Sequence, residues 1–151
     1  MIWLILLASQ SASALDFWPQ FYGQYTVHHW TCESTIKDKG CHETAGVRIE
    51  ALNGSSQLSI LNAQGHAIRI NDLIENTDSK GTTYVLTGDE HSAAFTVESF
   101  DSKGSRYFYN LLRIERTGAA GALVFSQIQE SNVAGFGNSL KRIFALSPDF
   151  N

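Results

Sequence analysis

The sequence predicts an all-β fold, a single antiparallel up-and-down β-barrel of about eight to nine strands, and three observations predict it. Short segments in which apolar and polar residues alternate recur along the chain, each bounded by Gly, Asn, Asp or Ser. No stretch sustains the apolar period of a helix. A turn sequence also repeats: Asp78-Ser79-Lys80-Gly81 returns 23 residues later as Asp101-Ser102-Lys103-Gly104, a period that suits one hairpin per unit of a meander. Asp opens such a turn and Gly supplies the positive φ, so the repeat needs no cation to explain it.

In chain order, residues 1–14 come first. They carry no charge, and residues 2–8 run apolar into Ala12-Ser13-Ala14, a small-x-small cleavage pattern. The segment reads as a signal peptide cut before Leu15, which leaves 15–151 as one barrel domain with one core. The apolar run is too short to span a bilayer, and no later segment approaches that length. The expectation is an exported protein, periplasmic or extracellular, with no transmembrane segment after the signal is removed.

The first strand follows. Phe21, Gly23, Tyr25, Val27 and His29 share one face of an extended chain, and Tyr22, Gln24, Thr26, His28 and Trp30 the other. The odd-numbered face is the more apolar. Gly23 weakens an ordinary strand, so it marks a bend or a close approach by another backbone or ring. Cys32 and Cys41 flank the turn sequence Lys37-Asp38-Lys39-Gly40, and in an exported chain two such cysteines predict a disulfide. Closing a loop of ten residues contributes roughly 2.7 kcal/mol on the chain-entropy estimate.

Residues 47–51 and 58–60 alternate on either side of Asn53-Gly54, a two-residue hairpin signal, and are expected to pair. Asn53 also opens an Asn-x-Ser pattern for N-glycosylation. Gly65 turns into 68–70, after which 71–77 is open between a loop and a helical turn. Residues 84–87, 93–98, 107–115, 122–129 and 140–146 complete the strands. Residues 107–114 are apolar on both faces, so their outer side is expected to be covered by a loop, a terminus or another molecule.

Asp16-Phe17 followed by Phe21-x-Gly23-x-Tyr25 resembles the first-strand signature of lipocalins, with Tyr25 where their Gly-x-Trp has its Trp. Arg142, in Leu140-Lys141-Arg142-Ile143-Phe144, is placed like the lipocalin arginine that packs over that ring. The resemblance, to a lipocalin-like, calycin-type small barrel, implies eight or more antiparallel strands around an apolar cavity. It further implies that the first and last strands pair to close the barrel, with Leu140, Arg142, Phe144 and Leu146 inward and Arg142 stacked on Tyr25.

The chemistry-bearing residues form no catalytic, metal or cofactor constellation. His28 and His29 are adjacent on a strand and point apart, while His66 and His91 sit beside turns. Gly88-Asp89-Glu90-His91-Ser92 holds acid, base and hydroxyl too close in sequence to converge as a triad, and reads as a polar turn. A net charge of −4 without a basic cluster excludes a nucleic-acid partner. Aromatic residues make up 11% of the chain, and Phe95, Phe108, Phe125 and Phe144 fall on four separate strands, where they either fill a core or line a cavity. The candidate barrel-floor and ligand-lining residues are Tyr25, His29, Phe95, Phe108, Phe144 and Arg142. The function expected is binding of a small apolar or amphipathic ligand, as carrier or sensor. The alternative is a filled barrel that binds another protein, as an inhibitor or envelope component. An outer-membrane barrel is the structural rival, and it requires longer strands with a lipid-facing apolar side.

Overall fold

The alternation read from the sequence becomes one antiparallel sheet. A computed structural model describes residues 17–35, 41–52, 54–73, 76–77, 81–100, 107–118, 121–132 and 138–149. A 3-10 helix, Trp18–Phe21, leads into β1 (Gly23–Ser34), β2 (Thr44–Leu52), β3 (Ser55–Asn62), β4 (Ala67–Leu73) and β5 (Asn76–Thr77). The chain continues through β6 (Thr83–Gly88), β7 (Ser92–Phe100), β8 (Tyr107–Arg116), β9 (Leu123–Ser131) and β10 (Asn138–Pro148). Nine strands are full length and β5 has two residues, in agreement with the predicted all-β meander. The stretch that the sequence leaves open resolves as strand through Leu73 and then β5. Residues 1–14, the turn at 37–40, Asn53 and the two Asp-Ser-Lys turns at 78–80 and 101–103 lie outside the described residues.

The sheet order is β4-β3-β2-β1-β10-β9-β8-β7-β6-β5, curled into a half-barrel. The first and last strands do pair, from Tyr25 opposite Pro148 to Ser34 opposite Leu140. The sheet's two ends are instead β4 and β5, neighbours along the chain that no ladder joins among the described residues. On the concave side Val47, Ile49, Leu58, Phe95, Leu112, Ile114, Phe125, Phe144 and Leu146 are each 5% exposed or less and belong to one core. Burying a side chain of this size stabilises the fold by about 1.5–3 kcal/mol. Lys141 and Arg113 are exposed on the opposite face.

The strand buried on both faces is β3, where Ser56 through Leu61 are all buried. In β8, which the sequence predicts to be covered on both faces, the outward Tyr107, Tyr109 and Leu111 are half-buried.

Two departures from ideal pleating shape β1. Gly23 has φ +148°, a backbone conformation that other residues rarely adopt, while a Cβ there would meet the Tyr25 hydroxyl at an ordinary contact distance of 3.6 Å. A bulge between Val27 and His29 then shifts the register against β10. An inserted residue reverses which side chains point inward. Val27 faces Leu146, but beyond the bulge Trp30 faces Phe144 and Cys32 faces Arg142, while His29 joins Ala145 on the outer side.

β1 pairs with β2 only from Gly23 to Thr26. Beyond that point the Cys32–Cys41 disulfide, with Cα atoms 5.6 Å apart, ties the departing half of β1 to the approach of β2.

Candidate functional site

At one end of the half-barrel the 3-10 helix forms a floor. Trp18 and Phe21 are fully buried, and Pro19 at the start of the helix presets its φ. The Tyr25 hydroxyl donates to the Phe21 carbonyl at 2.7 Å. Burial raises the Tyr25 pKa, opposed by the nearby Arg116 guanidinium. Arg116, the last residue of β8, stands 4.9 Å over the Phe21 ring, with Nε donating to the Glu90 carbonyl at 3.1 Å and Nη2 to Gln20 Oε1 at 3.0 Å. The β6–β7 turn is built for this contact. Asp89 Oδ1 accepts from the amides of His91 and Ser92 at 2.7 and 3.0 Å, bonds that hold its carboxyl below the ordinary range. A Cβ on Gly88 would come within 3.1 Å of Phe17, so a larger residue there would press against the floor. Gly88 to Ser92 is therefore the polar turn that the sequence implies. Trp18 Nε1 is buried in this floor without a partner among the described residues.

The arginine beside the floor aromatics is thus Arg116, and the expected stack of Arg142 on Tyr25 is not formed. The register puts Tyr25 opposite Pro148 and Arg142 opposite Cys32. Six residues of strand separate those positions, about 20 Å. Arg142 does point inward, in step with Leu140, Phe144 and Leu146, as its parity implies. It packs over the Phe144 ring, with its guanidinium carbon 5.6 Å from the ring centroid.

Around it lies a polar ladder across three strands. Arg142 Nε donates to Gln127 Oε1 at 2.6 Å, and Gln127 Nε2 donates to Asn110 Oδ1 at 3.0 Å. Gln127 and Asn110 are each 4% exposed, on the same face as the apolar core. Burial pulls the Arg142 pKa down to about 10, so the side chain stays charged at neutral pH. Among the described residues no carboxylate pairs with it, and the ion pair formed there is Arg113 with Glu115 at 3.2 Å, on the exposed face.

Aromatic rings continue the concave surface. Phe125 and Phe144 stack with centroids 5.6 Å apart, and Tyr84 stacks with Phe95 at 6.3 Å. Phe108 is partly buried against the same core. The concave side therefore gathers Tyr25, Phe95, Phe108, Phe144 and Arg142 and leaves His29 outside. Asn110, Gln127 and Trp30 join this surface although sequence reasoning passed over them. For the first two the signal was a polar residue in step with apolar ones, Asn110 with Leu112 and Gln127 with Phe125. Trp30 was hidden by the bulge. No group of three or more His, Cys, Asp or Glu side chains suited to a metal ion occurs among the described residues.

No family model matches the chain, and no curated protein matches it. The fold is a curled antiparallel half-barrel, compatible with a barrel fold. Among the described residues no helix is long and apolar enough to cross a membrane.

Proposed function

We propose that this protein is an exported, lipocalin-like binding protein whose concave face receives a small amphipathic molecule, which it carries or senses. One observation supports the reading above the others: the core on the concave side, with Phe95, Phe125 and Phe144 fully buried, ends away from the floor in a polar ladder beside the exposed Trp30. A purely structural core of this size gains nothing from placing a cation, two amides and a half-exposed tryptophan on one end of its apolar side. The floor end is stoppered by Trp18, Phe21 and Arg116. Entry therefore falls at the other end, where β1 leaves β2 and Trp30 is 36% exposed.

The test is a titration of the mature, oxidised protein with the neutral apolar probe N-phenyl-1-naphthylamine. Saturable binding at one site per chain, with a change in tryptophan emission, supports the reading, and the absence of binding removes it. Export is tested separately by mass spectrometry of the native protein, which should begin at Leu15 and carry the Cys32–Cys41 bond.

A second reading, docking of a protein on the outer face, is favoured by a ring stripe there. Phe100 is 51% exposed and lies 5.2 Å from the Tyr107 ring, which lies 6.5 Å from that of Tyr109. Loss of a co-purifying protein on Phe100→Ser, with probe binding intact, is the outcome that favours it.

A further inference from the structure

We propose that the outer face of β7, β8 and β9 is a docking surface for an extended, arginine-bearing segment of a partner protein, which lies on aromatic rings between two glutamates. This rests on the outer-face docking reading above and adds the chemistry of the partner.

The registers set the residues in rows. Glu98, Tyr109 and Glu130 stand opposite one another across the three strands and point outward together, on the face away from the buried Val97, Asn110 and Gln127. Strands lie about 4.8 Å apart, so the two glutamate positions are roughly 10 Å apart with the Tyr109 ring between them. Phe100 opposite Tyr107 makes the next row away from the floor, with ring centroids 5.2 Å apart.

Both rows are open to a partner. Phe100 is 51% exposed, and Glu98 and Glu130 are exposed as well. Among the described residues the ion pair formed is Arg113 with Glu115, and neither Glu98 nor Glu130 has a hydrogen-bonded partner. The other outward base there, Lys141, stands opposite the exposed Glu33 and lies in neither row. Burial raises the Tyr107 pKa, and Glu98 and then Glu130 raise it further, so both carboxylates act on this ring.

That combination selects the occupant. A neutral or acidic segment covering the rings would strip water from two carboxylates and give them nothing in return. An arginine lays its flat guanidinium on a ring and still turns its donors to the carboxylates beside it, which an ammonium cannot do as well. An extended segment fits the spacing. Its alternate side chains repeat every 6.8 Å or so, about the separation of the Tyr107 and Tyr109 rings, whose centroids are 6.5 Å apart and nearly parallel. One arginine would then sit over Tyr109 between Glu98 and Glu130. The side chain two residues on would reach Tyr107, where a cleft of about 340 Å3 opens beside Glu130 and Asn138.

The test uses two fluorescein-labelled pentapeptides, Arg-Ser-Arg-Ser-Arg and its counterpart with citrulline at each arginine, titrated by fluorescence polarisation into the mature, oxidised protein. Citrulline keeps the shape of arginine and lacks its charge. The arginine peptide should bind roughly five- to a hundredfold more tightly, the range that two exposed ion pairs and one cation–π contact span. That preference should vanish in the double variant Glu98→Gln with Glu130→Gln. It should survive in Glu43→Gln with Glu50→Gln, which removes the same charge from exposed positions on and beside β2.

Equal affinity for the two peptides in the unaltered protein overturns the cationic partner, as does a preference that survives the first double variant or falls equally in the second. If the peptides bind in that case and Phe100→Ser weakens both, the outer-face docking reading stands without it. Binding of neither peptide overturns the proposal, and the co-purification test on Phe100→Ser then decides the docking reading by itself. A concentration-dependent dimer in sedimentation velocity that Phe100→Ser abolishes assigns the face to a second copy of this chain and likewise overturns the proposal.

Discussion

The half-barrel carries an arginine near each end, and the two are treated in opposite ways. Arg116 is exposed, yet its guanidinium meets a backbone carbonyl, the Gln20 amide oxygen and the Phe21 ring. Arg142 is mostly withdrawn from water, yet among the described residues it meets one amide oxygen and one ring. At the floor the chain folds back and supplies its own acceptors, and the result is a closed end. At the ladder Arg142 meets the Gln127 amide oxygen and the Phe144 ring alone among the described residues.

That contrast can be broken at the floor first. Phe21→Ala removes the ring that fills the closed end, and a deletion of this kind in a core costs about 3–5 kcal/mol. Urea denaturation should show that loss, whereas a loss below 1 kcal/mol would mean that the 3-10 helix is not a stopper. At the other end, replacing both cysteines by serine should lower stability by roughly 2.7 kcal/mol. Because β1 has left β2 there, hydrogen exchange should quicken in the outer half of β1 and not at Tyr25.

Next is Tyr25→Phe, which leaves the buried Phe21 carbonyl without its donor and should cost about 1–3 kcal/mol. It also carries a pH signature. The folded-state pKa of Tyr25 is raised above 10.0, so its contribution is complete below about pH 10 and is lost as pH rises through the folded value. The difference in stability between the parent and Tyr25→Phe should therefore shrink in alkali, and a difference that grows would refute the assignment.

The smallest effects concern the two arginines themselves. Arg116→Met should cost about 0.5–1 kcal/mol, as an exposed ring contact would. Arg142→Met should be neutral or slightly stabilising, because it replaces a poorly paired buried cation by an apolar chain. The alkaline response of Arg142 is opposite to that of Tyr25. Its pKa falls from 12.5 to about 10 on folding, so between those values the folded chain releases a proton that the unfolded chain keeps, and stability rises with pH. That rise should be absent from Arg142→Met in denaturation curves taken at stepped alkaline pH.

Much of this was legible in the sequence because side-chain parity is a property of extended chain. The inward set Leu140, Arg142, Phe144 and Leu146 follows from period two alone, and Asp89 followed by His91 and Ser92 implies the turn it forms. The bulge between Val27 and His29 was not legible. One inserted residue leaves composition and local pattern unchanged while it moves His29 out and Trp30 in. The role of Arg116 was readable only in hindsight, from its place in step with Leu112 and Ile114. Its partners Gln20 and Glu90 are brought to it by the fold, and no local spacing links them. The resemblance carried by Phe21-x-Gly23-x-Tyr25 pointed to a floor where the structure has one, but supplied the wrong arginine.

The pairing of β1 with β10 has a kinetic consequence. Tyr25 waits for Pro148, and Asp149 closes on Gln24 with its amide 2.9 Å from the Gln24 carbonyl, so the sheet cannot be completed until the last strand arrives. Without β10 the sheet falls into two pieces, β4 to β1 and β9 to β5, which no other ladder joins among the described residues. In space the sheet ends at β4 and β5; along the chain the ends are β1 and β10. A circular permutant that begins at β5, crosses a flexible linker from Asp149 to Phe17 and ends at β4 has the same sheet with every neighbour consecutive. Its contacts are more local, so in stopped-flow refolding it should reach the native sheet faster than the parent chain.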